Sequence, residues 1–141
     1  VDIFQVEEIE RRRARLEWSY LEFLRVPSLS VGVYSLGAGE EDRQQPHMED
    51  EVYYVAAGRA SIRVGDEDQA VRTGSVVYVP AGVEHHFHDI AEDLTLIVFF
   101  APGEGTASAP GEGTASPPAE GTASAPGEGT ASAPGEGTAS A

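Results

Sequence analysis

Four side chains with metal-binding donor atoms, Gln45, His47, Glu51 and His85, fall on two glycine-bounded stretches of this chain. The first runs from Gly39 to Gly58 and holds Gln45, His47 and Glu51; the second runs from Gly74 through Pro80, Gly82 and His85 to Asp89. Two imidazoles, a carboxylate and a neutral amide oxygen make a mixed nitrogen and oxygen set. Such a set suits iron, manganese, cobalt, nickel or zinc better than copper(I) or a cluster. Two histidines with one carboxylate are also the donors of facial non-haem iron sites, which keep positions open for substrate and oxygen. An amide oxygen is a poorer donor than imidazole, so Gln45 implies weaker affinity than a third histidine would give. On a strand, residues two apart face the same way, so Gln45 and His47 point together, and Glu51 joins them if the strand runs unbroken. His86 and His88 have the opposite parity to His85 and are expected on the other side of the sheet, as surface or interface groups.

The spacings are G-x5-Q-x-H-x3-E-x6-G and G-x5-P-x-G-x2-H-x3-D, with 15 residues between them. They resemble, at every interval, the two motifs of the cupin superfamily, G-x5-H-x-H-x3-E-x6-G and G-x5-P-x-G-x2-H-x3-N. Gln45 stands where the first histidine is usual, and Asp89 where asparagine is usual. The resemblance spans residues 34–100 and implies a double-stranded β-helix, a jelly-roll barrel, in which Gln45, His47, Glu51 and His85 converge on one divalent ion (Fe, Mn, Ni, Co or Zn). It also implies a structural role for Asp89 near a strand end, and a homodimer. Tyr53 and Val55 share the parity of Glu51, so both are expected to line the pocket; Tyr53 is the candidate to orient substrate or donate a proton. Phe87 has the parity of His85 and is expected as an apolar wall. Glu49 reads as a solvated loop carboxylate, with a supporting or basic role at the site as the alternative. Arg59, Arg63 and Arg72 are expected to face water; anchoring an acidic substrate is the other option.

The elements that must hold these residues are short strands. Residues 2–17 read as an amphipathic helix with Val6, Ile9 and Leu16 on one side and the pairs Glu7/Arg11 and Glu8/Arg12 in the favourable order. After it, strands are expected at 18–26, 29–36, 51–57, 60–64, 69–72, 75–79, 84–90 and 94–100. Pro27, Gly58, Gly65-Asp66, Thr73-Gly74 and Pro80-Ala81-Gly82 supply the turns between them. Many short strands at such spacing mean an all-β sandwich or barrel. Trp18, Tyr20 and Phe23 are the candidate dimer contacts, or else line the barrel mouth.

Three segments follow: a helical 1–17, a barrel at 18–101 and a tail at 102–141. The tail is an octapeptide array (GEGTASAP, GEGTASPP, AEGTASAP, GEGTASAP, GEGTASA). It offers almost nothing apolar to bury, so it is expected to be disordered. All nine basic residues are arginine, and the five tail glutamates account for part of the formal charge of −15, leaving −10 on residues 1–101. That balance opposes nucleic-acid binding and anionic membranes. With no cysteine, thiolate metal sites and disulfides are excluded. No apolar run approaches a membrane span and no leader is visible, so a cytoplasmic location is expected. Three functional readings remain open at this point. One is a metal-dependent enzyme (oxygenase, isomerase or lyase) acting on a small molecule inside the barrel. The others are a non-catalytic binding or sensor module and a metal-free structural barrel.

Overall fold

Strict alternation of buried and outward-facing residues runs from Val52 to Val55 and again from Ala60 to Ile62, the signature of a strand with one face on a core. A computed structural model describes residues 1–106; the array from 107 to 141, with the disorder expected for it, lies outside the described residues. The elements are α1 (Val6–Leu16), β1 (Tyr20–Val26), β2 (Leu29–Leu36), β3 (Asp50–Val64), β4 (Glu67–Arg72), β5 (Val76–Val79) and β6 (His85–Ala101). All pairing is antiparallel, in the order β1-β2-β6-β3-β4, with β5 lying on β3. The architecture is the all-β barrel anticipated from the turn spacing, with one short helix.

Among the described residues six strands replace the eight expected, because two apparent breaks are bends inside continuous strands. The segments 51–57 and 60–64 are one strand, β3, and 84–90 and 94–100 are one strand, β6. These two pair along their length, from Asp50 opposite Ala101 to Val64 opposite His85, with register shifts between Val55 and Ser61. Gly58 sits in that irregular stretch at φ +102, and a Cβ there would strike the carbonyl oxygen of Asp93. Its glycine therefore serves a bend where two backbones nearly touch, not a chain reversal.

The barrel interior is packed by Tyr20, Tyr34, Tyr53, Phe87, Leu96 and Phe100, among other apolar side chains. A second, smaller cluster lies on the outer face, where Ile9 of α1 meets Leu21, Val31, Val33 and Ile97. The helix is shorter than expected at both ends, and its apolar side is narrower: Val6 and Leu16 are exposed and Ile9 alone is buried. Polar tethers hold it instead. Glu10 accepts from Ser35 Oγ at 2.9 Å and pairs with Arg13 at 2.7 Å, and Arg13 also donates to the Trp18 carbonyl. Glu10–Arg13 thus takes the place of the Glu7/Arg11 and Glu8/Arg12 pairs among the described residues. Tyr20 packs into the barrel core, whereas Trp18 and Phe23 pack beside the outer cluster. Packing does not stop where the repeats begin, since Gly103 and Glu104 are buried.

Candidate metal centre

His47, Glu51 and His85 reach one point from three parts of the chain. Glu51 is the second residue of β3, His85 opens β6, and His47 lies on the loop before β3. That loop is pinned from the Pro80–Gly82 turn: Gly82 N–H donates to the His47 carbonyl at 2.6 Å, and Ala81 N–H donates to Asp50 Oδ1 at 3.0 Å. The proline-glycine turn of the second stretch thus holds the histidine of the first. One donor atom from each of the three residues falls within 4.8 Å of the others, and the residues are 2%, 1% and 4% exposed. The His47 ring rests edge-on against Phe100, with centroids 4.7 Å apart.

Among the described residues, the polar atoms of this group are left without partners. Both nitrogens of His47, both carboxylate oxygens of Glu51 and Nε2 of His85 are buried and make no aligned hydrogen bond. His85 Nε2 and Glu51 Oε1 approach to 3.0 Å, yet they are not aligned as donor and acceptor. Two lone pairs turned toward a shared cation would account for that geometry. His85 Nδ1 lies 2.9 Å from the Val83 carbonyl, which fixes it as the protonated nitrogen and leaves Nε2 as a lone-pair donor. The two rings are pushed in opposite directions. Burial draws the His47 pKa down, against the pull of Glu51. At His85 burial also acts downward, but Glu51 and the Val83 carbonyl outweigh it and the pKa rises. A divalent cation would satisfy the Glu51 carboxylate, Nε2 of His85 and one nitrogen of His47, so the donor set fits the metal that the motif resemblance implies.

Gln45 is exposed, unlike these three residues. The parity argument assumed a strand, but residues 37–49 form none, so alternation does not govern them. Gln45 lines an open pocket of about 630 Å³ that reaches His85 and includes Asp42, Gln44, Glu84 and Phe87. Its neighbour Gln44 turns inward and accepts a hydrogen bond from Tyr53 Oη at 2.9 Å. Tyr53 and Val55 are fully buried, and Phe87 is buried as expected, with its ring 4.9 Å from that of Tyr53. Burial first, and then the nearby Glu51, raise the Tyr53 pKa well above the usual tyrosine value. The hydroxyl is therefore a neutral hydrogen-bond donor already engaged with Gln44.

Alternation holds for the neighbouring histidines: His86 is exposed, and half-buried His88 pairs with Asp68 at 2.8 Å and Asp89 at 3.2 Å. Asp89 lies four residues from His85 and so shares its strand parity, yet it does not share its burial. It is exposed with φ +49, a left-handed conformation in the middle of β6. Asparagine and aspartate tolerate that region better than other non-glycine residues, which gives a backbone reason for either at this position. Arg59, Arg63 and Arg72 face solvent, the first two paired with Glu92 and Asp68.

Three carboxylates matter more than their sequence setting suggested. Asp42, inside an acidic loop run, is buried and accepts from Tyr34 Oη (2.6 Å), Phe87 N–H (2.8 Å) and Gln44 Nε2 (2.8 Å). It fastens the loop to β2 and β6. Glu49, expected in solvent, is buried and accepts from Gly105 N–H at 2.7 Å. Glu104 of the first octapeptide is buried with Oε2 3.8 Å from His47 Nδ1. Nothing local in the sequence marks Glu104, because its tetrapeptide recurs down the array.

A buried two-histidine, one-carboxylate cluster inside an antiparallel barrel defines a class of small barrel proteins with a candidate mononuclear metal centre. The sequence profile described as "Cupin domain" matches residues 32–106, and the chain belongs to that family. An uncharacterized protein of Streptomyces coelicolor, SCO3923, is 54% identical over 101 residues, 72% of this chain and 96% of the relative. Acireductone dioxygenase 2 of Arabidopsis thaliana is 26% identical over 86 residues, 57% of this chain and 45% of that protein, so the likeness spans under half of the plant protein. Among solved structures, TT1209 from Thermus thermophilus superposes with a TM-score of 0.63 at 24% identity, over 73% of this chain and 99% of that one. BH2720 from Bacillus halodurans gives 0.62 at 20% identity, over 82% and 86%. These likenesses carry the fold.

Proposed function

We propose that the protein is a metal-dependent enzyme that acts on a small organic molecule in the barrel, with His47, Glu51 and His85 holding one divalent ion. The observation that carries this reading is the cluster of unpaired buried donors. Each orphaned polar group costs about 1–3 kcal/mol when nothing satisfies it. A barrel without a cation would bear that cost at several atoms within one small volume, which argues against a purely structural role. An ion bound there would act as a Lewis acid with coordination positions left for substrate, and iron would bring oxygen chemistry.

Oxygenase chemistry is the best-supported class, because two histidines and one carboxylate are the donor types of a facial triad and the Arabidopsis relatives are dioxygenases by name. In this reading substrate enters through the pocket that reaches His85. Gln45 stands on its rim, able to add an amide oxygen to the coordination, and Tyr53 and Gln44 form an orienting pair behind the site. Phe87 and Phe100 keep the inner wall apolar. The homodimer implied by the family resemblance would use the exposed apolar strip of Tyr54, Val76, Tyr78 and Phe99 on the outer sheet face. Sedimentation of wild type and Tyr78→Glu tests that arrangement, a dimer split by the charge being the expected result.

The decisive experiment is elemental mass spectrometry of the purified, untagged protein beside His47→Ala and His85→Ala. Near-stoichiometric metal lost in both variants is expected, and oxygen uptake with an acireductone, the substrate in the Arabidopsis relatives' names, then tests the oxygenase class. Wild-type protein that neither carries metal nor takes it up on incubation would overturn the proposal.

A further inference from the structure

The first octapeptide behaves as part of the barrel, and each residue of its Gly-Glu-Gly-Thr tetrapeptide has a separate reason to be there. Gly103 passes so close to Arg25 and the Val26 carbonyl that an added Cβ would lie 3.0 Å from the guanidinium. Glu104 N–H donates to Ser30 Oγ at 2.9 Å, and its carbonyl accepts from Arg25 Nη2 at 2.8 Å. Gly105 adopts φ +86, open to glycine at little cost, and its N–H donates to Glu49. Thr106 closes the turn onto the Gly103 carbonyl through both its N–H (3.0 Å) and its hydroxyl (2.6 Å). The tetrapeptide is thus a strap across one end of the barrel, anchored to β1, β2 and the loop before β3.

The strap delivers a carboxylate to the metal cluster. Glu104 is 8% exposed, its Oε2 has no hydrogen-bond partner, and that oxygen is 3.8 Å from Nδ1 of His47. We propose that Glu104 is the positioning residue of the metal centre: it takes the Nδ1–H of His47 and so presents Nε2 to the ion shared with Glu51 and His85. The inference rests on the metal reading above. Glu104 is not among the donors that converge within 4.8 Å, which makes it a partner of a ligand and not a ligand. Closing the gap to hydrogen-bond length takes a shift of about 1 Å, within reach of a glutamate side chain. A carboxylate on the far nitrogen fixes the tautomer of a ligating imidazole and raises its donor strength. His85 has the Val83 carbonyl for that purpose, and among the described residues His47 has no partner besides Glu104 in reach of Nδ1. The two histidines would then be oriented by matched devices, one from the barrel and one from the repeat array.

The test uses the full chain and Co2+ as probe, with affinity read by calorimetry, coordination by visible absorption, and fold by melting in chelator. Glu104→Gln should bind Co2+ about 10–100-fold more weakly than wild type with an altered absorption spectrum. Its metal-free melting temperature should not fall, because the change removes a buried unpaired carboxylate. Ser30→Ala, which loosens the strap and leaves the carboxylate in place, should show a smaller loss of the same sign. Unchanged affinity in Glu104→Gln overturns the inference. So does a weaker affinity that merely follows a lower metal-free melting temperature with the spectrum unchanged, since that marks packing alone. If His47→Ala loses Co2+ and Glu104→Gln keeps it, only the positioning role fails; if wild type binds none, the metal reading fails with it.

Discussion

Replacing Glu51 by glutamine should stabilise the metal-free protein and cripple the metal-loaded one. Glu51 is 1% exposed, and neither of its oxygens has an aligned partner. An unsatisfied buried group of this kind costs about 1–3 kcal/mol, more when charged. Glutamine keeps the shape, removes the charge and offers an amide N–H to His85 Nε2, which lies 3.0 Å from the present Oε1. In chelator, Glu51→Gln should therefore melt higher than wild type by about 4–24 °C, at the 4–8 °C per kcal/mol usual for domains of this size. Metal reverses the order. Ligand at 100 times its dissociation constant adds about 2.7 kcal/mol to a protein that binds it only when folded. Wild type should then gain about 10–20 °C while the variant gains little. Circular dichroism melts of both proteins, with chelator and with excess divalent ion, give the four values needed. A variant less stable than wild type in chelator would refute the claim that Glu51 is uncompensated. Equal gains from metal would refute its role as a ligand.

Three further outcomes are expected. Gly58→Ala should lower stability by about 1–3 kcal/mol or more in urea unfolding, because φ is +102 and the new methyl meets the Asp93 carbonyl. Tyr34→Phe should cost about 1.5–3 kcal/mol in the same assay, the worth of a hydrogen bond to a charged group, since Asp42 then keeps two of the three side-chain and backbone donors that hold it. Asp68→Asn should bring the raised pKa of His88 back toward its ordinary value of 6.5, followed by NMR of the imidazole protons. The sign follows from the pairing. The protonated His88 gains Asp68 on folding, so its contribution is fully present below the unfolded pKa and is lost as pH rises through the folded one. A variant whose His88 still titrates where wild type does would show that Asp68 is not the cause.

Much of the barrel was legible in the chain because motif glycines and prolines do backbone work. Gly82 holds His47 through a peptide N–H, and Asp89 takes a left-handed conformation that few other side chains tolerate. Strand parity placed His85, Phe87, Tyr53 and Val55 inward and His86 outward. It failed at Gln45, since the loop before β3 has no pleat to enforce alternation, and at Asp89, where the positive φ resets it. Strand number was overcounted because a glycine that bends a strand and a glycine that ends one look alike in one dimension. The helix was overdrawn for another reason: its apolar residues suggested a broad buried face, whereas Ile9 alone of them is buried and Glu10 and Arg13 add polar attachments. Asp42, Glu49 and Glu104 could not be singled out from an acidic sequence, because burial of one glutamate among many depends on contacts with remote segments. For Glu104 the array itself hid the signal, as identical tetrapeptides at 103–106 and 111–114 differ in neither composition nor local pattern.

The long β3–β6 ribbon closes like a zip, and the metal donors sit at its two extremes. His85 lies at the end where Val64 is its partner, a short chain distance away, while Glu51 lies at the end where it faces Phe100. Closing the near end costs little loop entropy; bringing Phe100 back to Glu51 must await the pairing between them. The ribbon must also curl before its ends meet across the interior. An ion gripped by both donors would tie the two ends of the ribbon together and so guard the chain against opening from its far end.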